Sequence, residues 1–439
     1  MRGSTLGILL ATLITAPLCT AKPALDIETQ TIKEVWPALL HHPQRLQDEA
    51  IEGYLQQILH KLAPDEKAPF RVVVLQDTSV NAFAIPGNII VVHTGLIQRA
   101  GDESELAAVL AHELTHLEKA HWKTRMEKAG QASLAGALGM LGGMLAAAKN
   151  PELGQGLAMM SMAGTQQSVL NFSREQEMEA DYGGFQKLAK AGYCPSGMVR
   201  FFNKLASREN AMAQQVPFLL THPLSQERSD KAASMTQNTD NRSCTNSTLH
   251  HAILTLRFNT LTPGRYEFTP DEQRSFSLVQ HAAQDSAAGR LHQAFTQLQT
   301  AYKQIPEPAI GIALAENMYA LGRFHEALQL ARTLPAESTL SLRLNTYFQL
   351  ENYAEVIQLG APLLINEQLS PASLDRVARA YAKLKHLGSA YVAQGEYLYQ
   401  QGLYTQSETF FKKGLAQDVS GSLHKFAQKR LESLKNLVG

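Results

Sequence analysis

Residues 112–116 read His-Glu-Leu-Thr-His, and this motif constrains the chain more than any other. Residues four apart lie on one face of an α-helix, so His112 and His116 can direct ring nitrogens at one metal ion. Glu113 lies beside them, where it can accept a proton from the attacking water. Asp102 is a candidate N-cap, with Glu105 three residues later completing a capping box. The pattern predicts a zinc-dependent hydrolase, and the alternative is an ordinary helix with two histidines.

A third metal ligand does not follow at metzincin spacing. That class needs a histidine at position 122, and this chain has Trp122. His121 lies five residues after His116 and is expected to point away from the metal face. The third ligand is therefore expected further along the chain.

Residues 173–181 supply a suitable carboxylate. Ser173 and Gln176 have the spacing of a second capping box, which predicts a helix start. Glu177 and Asp181 lie on one face of that helix, so Glu177 is the predicted third ligand of a His₂Glu zinc site. Asp181 is predicted to accept the other N–H of a ligand histidine. The alternative is an acidic, solvated first turn that favours the helix dipole.

These two motifs together resemble a known family, the zinc metallopeptidases that include CAAX prenyl proteases and HtpX-like quality-control proteases. The segment 81–87, Asn-Ala-Phe-Ala-Ile-Pro-Gly, is similar to the strand and turn of that family, although Asn88 stands where a second glycine is usual. The organisation is most similar to members with C-terminal repeats. The resemblance implies an envelope protease that acts on unfolded protein substrates. It also implies that the repeats contact outer-membrane proteins and their assembly machinery.

The N-terminus predicts export. Arg2 supplies a positive start, residues 6–18 form an apolar run, and cleavage is expected after Ala21. A retained membrane anchor and a lipoprotein signal at Cys19 are the alternatives. The apolar run is short for a membrane span, and Leu18 is poorly suited to precede a lipidated cysteine. A cleaved signal peptide and a bacterial periplasmic location are therefore predicted.

Composition and cysteine content limit the partners and the compartment. Lysine plus arginine equals aspartate plus glutamate, 40 each, so there is no basic field to attract nucleic acid. Cys194 and Cys244 remain after signal removal. In an oxidising periplasm they could form a disulfide that joins the linker to the catalytic domain. Two free thiols are the alternative.

The chain is too long for one core and is predicted to be mainly helical in two domains. The predicted divisions are a signal peptide (1–21), an α+β metallopeptidase domain of the gluzincin type (22–235), a polar linker (236–250) and a tetratricopeptide-repeat α-solenoid (251–439). The predicted β element contains a strand at 70–75 and a hairpin of strands 82–85 and 89–93. One strand edge is expected either to pair with an extended substrate or only to support the active-site helix.

An uncharged stretch separates the two zinc motifs. Residues 129–148 and 153–170 are rich in small and apolar side chains. Alanine and glycine favour membrane insertion only weakly, so a mobile helical hairpin over the active site is favoured over a membrane hairpin. Peripheral membrane contact stays open.

The C-terminal half contains an internal repeat. Residues 289–294, Gly-Arg-Leu-His-Gln-Ala, recur at 322–327 as Gly-Arg-Phe-His-Glu-Ala, close to the roughly 34-residue tetratricopeptide period. Weaker copies begin at Glu351 and Gly402. The glycine is expected to allow a close approach within each helix pair. Stacked pairs form a concave surface for protein partners, and an ordinary helical bundle is the alternative.

Two function classes compete. The first is an active zinc endopeptidase, with one Zn²⁺ per chain, that degrades stalled or misfolded envelope proteins. The second is a chaperone-like adaptor in which proteolysis is rare. His222, in a His-Pro turn, is predicted either to stabilise the oxyanion or to occupy the fourth zinc position as an inhibitory ligand. A plain surface histidine is the alternative, and Arg228 is a weaker candidate for supporting the same loop.

Overall fold

The structure is a computed structural model, and it describes residues 27–66, 70–122, 172–206, 217–237, 244, 247–258, 266–417 and 419–438. The predicted signal peptide, the uncharged segments 129–148 and 153–170, and most of the predicted linker lie outside the described residues. The predicted domain boundaries therefore stay predictions. In the described part of the chain, no helix is both long enough and apolar enough to span a membrane.

The N-terminal half combines a small sheet with helices, as the sequence predicts. Its elements are α1 (Ile27–Leu40), β1 (Arg45–Leu46), α2 (Glu49–Leu62), β2 (Arg71–Leu75), β3 (Ala82–Ile85), β4 (Ile89–His93), α3 (Thr94–Arg99), α4 (Glu103–Glu118), α5 (Arg174–Lys190), α6 (Ser196–Ala206), α7 (Pro217–Thr221) and α8 (Gln226–Gln237). The helices α4 and α5, which carry the two zinc motifs, pack directly against each other.

The sheet has the strand order β1-β2-β4-β3. Its strand β4 is fully buried and runs parallel to β2 and antiparallel to β3. The predicted hairpin of β3 and β4 is confirmed. Its turn contains Gly87 and Asn88, both with positive φ (87° and 55°), and asparagine is among the few non-glycine residues that adopt this conformation readily. Strand β3 forms one edge of the sheet and packs against α4.

The C-terminal half is a stack of helices, and this confirms the predicted solenoid. The helices are α9 (Thr248–Thr255), α10 (Pro270–Ala287), α11 (Leu291–Gln304), α12 (Pro308–Ala320), α13 (Phe324–Ala331), α14 (Ala336–Gln349), α15 (Tyr353–Ile365), α16 (Pro371–Lys383), α17 (Leu387–Gln400), α18 (Tyr404–Leu415) and α19 (Gly421–Val438). From α10 onwards each helix packs on the next one in sequence. The apolar core of the N-terminal half continues into these helices as far as Ala327.

The repeat glycines have a different role from the expected one. Gly289 and Gly322 lie in the turns between paired helices, with φ of 77° and 74°, and a Cβ at either position would meet no atom within 4 Å. Close packing therefore does not require glycine at these two sites. The left-handed turn does, because side chains raise the energy of that conformation. Glu351 takes the same position in a weaker copy, with φ of 57°.

The solenoid contacts the N-terminal half at two places. On one side α14 packs against α2, where Gln57 Nε2 donates to Ser338 Oγ at 2.6 Å. On the other, the Tyr404 hydroxyl donates to the carbonyl of Ile32 in α1 at 2.8 Å. A cavity of about 650 Å³ lies between the two halves. The N-terminal half therefore contacts both a middle repeat and a late one.

Cys194 and Cys244 form a disulfide. Cys194 immediately precedes α6, and Cys244 lies in the region predicted as the linker. Of the two sequence-based alternatives, the structure has the disulfide that joins the linker to the catalytic half.

Candidate metal centre

Helix α4 presents the first motif on a well-capped helix. The Asp102 side chain accepts the N–H of Glu105 at 2.9 Å, which confirms Asp102 as the N-cap. The expected capping box is wrong in its second half. The Glu105 carboxylate accepts the N–H of Gly101 at 2.9 Å and forms ion pairs with Arg200 and Lys204 on α6. Ionic contacts with α6 therefore hold the start of the helix in place.

Helix α5 brings the second motif close to α4. Its predicted capping box, between Ser173 and Gln176, is present. Further along α5, a Cβ on Gly183 would lie 2.5 Å from Thr115 Cγ2, and a Cβ on Gly184 would lie 3.1 Å from the His112 nitrogen. The glycine pair thus permits the close helix approach that the site needs. The sequence prediction missed this signal, although Gly-Gly inside a helix is unusual enough to suggest it.

Four buried side chains converge between these helices. Ligand atoms of His112, His116, Glu177 and His222 all lie within 4.8 Å of one another. The Nε2 atoms of the two α4 histidines are 3.0 Å apart, and His116 Nε2 is 3.4 Å from Glu177 Oε1. Ligands about 2.0–2.1 Å from a tetrahedral zinc ion lie about 3.3 Å from each other. The chemistry and spacing of this donor set therefore fit one zinc ion.

Asp181 lies where a partner of a ligand histidine is expected. Its Oδ1 is 3.0 Å from His112 Nδ1, the nitrogen that faces away from the cluster. Arg228 donates to both carboxylate oxygens, at 2.7 and 2.8 Å. Burial pushes the pKa of Asp181 up, but the hydrogen bonds from Arg228 and His112 outweigh it and hold that pKa below its ordinary value. An ionised Asp181 keeps the His112 proton on Nδ1 and leaves Nε2 free for a metal.

Arg228 has a larger role than the sequence suggested. It donates to the carbonyl of Pro223 at 2.7 Å, which is the predicted support of the His222 loop. It also forms an ion pair with Glu177 at 2.6 Å, in addition to its two bonds to Asp181. Burial of Glu177 raises its pKa, but hydrogen bonds from His116 and His222 more than offset this and leave it lowered. One buried cation thus pairs with two buried carboxylates.

Glu113 lies beside the four-residue cluster. Its Oε2 accepts the N–H of Ala84 in β3 at 3.2 Å. Its Oε1 lies 3.3 Å from His222 Nε2. Burial is the main cause that raises the pKa of Glu113, which makes its carboxylate more basic than an exposed one. Because β3 is the edge strand among the described residues, this contact places the predicted proton acceptor beside that edge of the sheet.

His222 lies at the centre of the site. Its N–H donates to the carbonyl of Phe218, which continues the last turn of α7. Its Nδ1 is 2.9 Å from Glu177 Oε1 and 3.2 Å from His112 Nε2. Its ring stacks on Phe218, with centroids 4.7 Å apart. The surface-histidine alternative does not fit this buried position.

His121 does not point away from the metal cluster, as an uninterrupted helix would require. It is buried, and its Nδ1 is 2.9 Å from His116 Nδ1. The expectation fails because α4 ends at Glu118, and Ala120 then takes a left-handed conformation with φ of 49°. The chain turns back and places the imidazole behind His116.

Comparisons with known proteins agree with this geometry. Residues 49–236 match the model of peptidase family M48. The chain therefore carries an M48 domain, and the class that fold and site define is that of the zinc metalloproteases. Within that class the chain is similar to the beta-barrel assembly-enhancing protease of Escherichia coli, with 26% identity over 89% of this chain and 84% of that protein.

Two further relatives match over shorter stretches. The beta-barrel assembly-enhancing protease of Yersinia pestis is 33% identical over 41% of this chain and 38% of that protein. Metalloprotease LoiP of Escherichia coli is 32% identical over 36% of this chain and 60% of that protein.

Proposed function

We propose that this chain is a periplasmic zinc endopeptidase that degrades stalled or misfolded envelope proteins and assists outer-membrane β-barrel assembly. The observation that carries the proposal is the buried set of His112, His116 and Glu177 beside Glu113. The similarity to beta-barrel assembly-enhancing proteases over most of the chain supports the envelope role.

Each residue has a chemical task in this proposal. His112, His116 and Glu177 hold zinc, which supplies a Lewis acid for the scissile carbonyl and lowers the pKa of water. Glu113 accepts the proton of the attacking water. Arg228 and the ionised Asp181 keep His112 and Glu177 oriented toward the metal position. Water activation and ligand orientation thus depend on different side chains, which single substitutions can separate.

The β3 edge supports binding of an extended peptide. The Ala84 N–H bonds Glu113 rather than β4, so it points toward the open side of the strand. A substrate strand that pairs with this edge would lie next to the carboxylate. We therefore favour substrate pairing over simple support of the helix.

We further propose that His222 is an inhibitory ligand in this arrangement. Its Nδ1 lies among the ligand atoms of the other three residues, and its Nε2 faces Glu113. A residue there competes with water for the fourth metal position. A histidine that stabilises the oxyanion would instead lie further from the ligand atoms, with its N–H directed at the substrate carbonyl.

This position of His222 also favours the second function class. A blocked site leaves the solenoid free to bind clients without cleaving them, as a chaperone-like adaptor would. The two function classes then differ in whether binding of a client displaces His222 from the metal site.

The test uses the full chain with an unfolded casein as substrate. Glu113→Gln should retain one zinc per chain and lose about 10²–10⁴-fold in rate, because the amide keeps the shape without the base. Glu118→Gln is the matched control on the same helix, since Glu118 pairs with Lys187 at the surface. Near-normal hydrolysis by Glu113→Gln would exclude Glu113 from catalysis, and zinc-free wild-type protein would refute the metal site.

His222→Ala separates the two roles of that histidine. Faster casein hydrolysis with zinc retained supports the inhibitory ligand, whereas slower hydrolysis with zinc retained supports the oxyanion role. Unchanged rate and zinc content would remove His222 from the site.

The envelope role is tested by trapping. Glu113→Gln protein, crosslinked in the periplasm, should capture outer-membrane β-barrel proteins or their assembly factors. Recovery of soluble periplasmic proteins alone would contradict that part of the proposal.

A further inference from the structure

The second ring nitrogen of His116 belongs to a chain of three polar side chains. His116 directs Nε2 into the metal cluster, and its Nδ1 is 2.9 Å from His121 Nδ1. On the far side of that ring, His121 Nε2 is 3.2 Å from Glu179 Oε2. His121 is only 4% exposed, whereas Glu179 is at the surface. The contacts therefore run from the buried cluster outward to solvent.

Metal binding by His116 determines which ring nitrogens of His116 and His121 carry a proton. A histidine that binds metal through Nε2 carries its proton on Nδ1. His116 Nδ1 must therefore donate, and His121 Nδ1 must accept. The His121 proton then lies on Nε2, within hydrogen-bond distance of the Glu179 carboxylate. Every donor in the chain meets an acceptor, so the three side chains support a single set of tautomers.

The backbone next to His121 is held in an unfavourable conformation. Ala120 has φ of 49°, a value that alanine rarely adopts because its Cβ crowds the following carbonyl. Continued helix would have carried position 121 away from His116. Such conformations persist where surrounding contacts enforce them, often at functional sites. Here the left-handed residue is what reverses the chain and puts the His121 ring against His116.

The two α4 ligands are thus oriented in different ways. His112 contacts the carboxylate of Asp181 directly, and Asp181 is buried and bonded to Arg228. The outer nitrogen of His116, Nδ1, instead contacts His121, which in turn contacts a carboxylate. That carboxylate, Glu179, is 46% exposed and pairs through its other oxygen with Lys119 at 2.8 Å.

We propose that His121 is a positioning residue that holds the tautomer and ring orientation of His116, and that Glu179 does the same for His121. The inference rests on the proposed zinc peptidase function and deepens it. His121 contributes no atom to the metal cluster, and it acts on the metal through His116 alone.

The experiment measures zinc affinity of the full chain by chelator competition, in the Glu113→Gln background so that self-cleavage does not interfere. His121→Leu fills the space but cannot accept a hydrogen bond, and it should weaken zinc binding about 10–100-fold. His121→Asn places an amide oxygen near the position of Nδ1 and should stay within about threefold of the parent. Melting of the metal-free variants reports whether each one folds.

Two surface substitutions complete the test. Glu179→Ala should weaken zinc binding about threefold to tenfold, since His121 loses its acceptor. It also keeps the test decisive if His121→Leu does not fold. Lys119→Met is the matched control, because it removes the ion pair but leaves Glu179 Oε2 for His121, and it should stay within about threefold.

Several results would overturn the inference. One is undiminished zinc affinity in folded His121→Leu, or in Glu179→Ala. Another is an equal loss of zinc affinity in His121→Leu and His121→Asn, which would indicate that His121 acts through packing and not through its hydrogen bond. A loss in Lys119→Met as large as that in Glu179→Ala would place the effect in surface charge. Failure of the parent protein to bind zinc would instead contradict the proposed function itself.

Discussion

A buried carboxyl between the two halves of the protein should make its stability depend on pH. Glu52 lies on α2, lines the cavity between the halves and is 3.4 Å from Arg45. Its side chain is 17% exposed. Burial raises the pKa of Glu52 to about 7, although Arg45 opposes that rise. An ordinary glutamate titrates near 4.5.

The direction of the effect follows from where the proton is bound. Between pH 4.5 and about 7 the native Glu52 carries a proton that the unfolded chain has released. The unfolding free energy therefore falls as pH rises through that window. The contribution of Glu52 to the unfolding free energy is fully present well below pH 4.5 and is lost above about pH 7. With about 1.4 kcal/mol per pKa unit, the expected loss is about 3 kcal/mol.

The perturbation is Glu52→Gln, which stays neutral at all pH values and can still accept from Arg45. Urea unfolding, followed by far-ultraviolet circular dichroism at pH 5 and pH 8, gives the stability of variant and wild type. Relative to the wild type, the unfolding free energy of the variant should rise by about 2.5 kcal/mol between pH 5 and pH 8. Asp65→Asn, at a 91% exposed side chain, is the control and should show no such change. The reasoning is refuted if the unfolding free energies of Glu52→Gln and wild type differ by the same amount at both pH values.

Four other changes have expected outcomes. Asp181→Asn should weaken zinc binding about 10–100-fold in chelator competition, because His112 loses its charged partner. Gly183→Ala should lower the unfolding free energy in urea by about 1–3 kcal/mol, because the new Cβ crowds α4. Glu351→Gly should raise it by about 1 kcal/mol, because glycine relieves the left-handed turn. Cys194→Ala should lower it by about 4 kcal/mol, since the disulfide closes a loop of 50 residues. An unchanged value in any of these measurements would contradict the corresponding reason.

The sequence was sufficient to predict which side chains come together at the candidate site, because helical spacing fixes which of them share a face. His112 and His116 on one helix, and Glu177 and Asp181 on another, needed only the helix period and a cap to be placed together. The small sheet and the solenoid followed from equally local patterns, alternating apolar residues and a repeated hexapeptide. Each of these motifs spans only a few residues.

The missed features depend on where helices end and on contacts between distant segments. His121 was misplaced because the helix period was extended past Glu118, where the chain turns at Ala120. Arg228 was undervalued because its two carboxylate partners are more than forty positions earlier in the chain. The Glu105 carboxylate bonds Gly101 and α6 side chains rather than the N-cap, a choice made by tertiary packing. No periodicity in the sequence encodes such pairings.

The contact between Ile32 and Tyr404 has a consequence for the order of events during synthesis. The two residues are 372 positions apart, and the ribosome makes the chain from its N-terminus. Helix α1 packs its apolar face on the nearby sheet, but its bond to Tyr404 can form only after almost the entire polypeptide has been made. Long-range contacts of this kind slow folding, because distant segments must meet before the contact is rewarded. The contact between α1 and the late repeats therefore forms only when those repeats have been made, and a prematurely terminated chain lacks that contact.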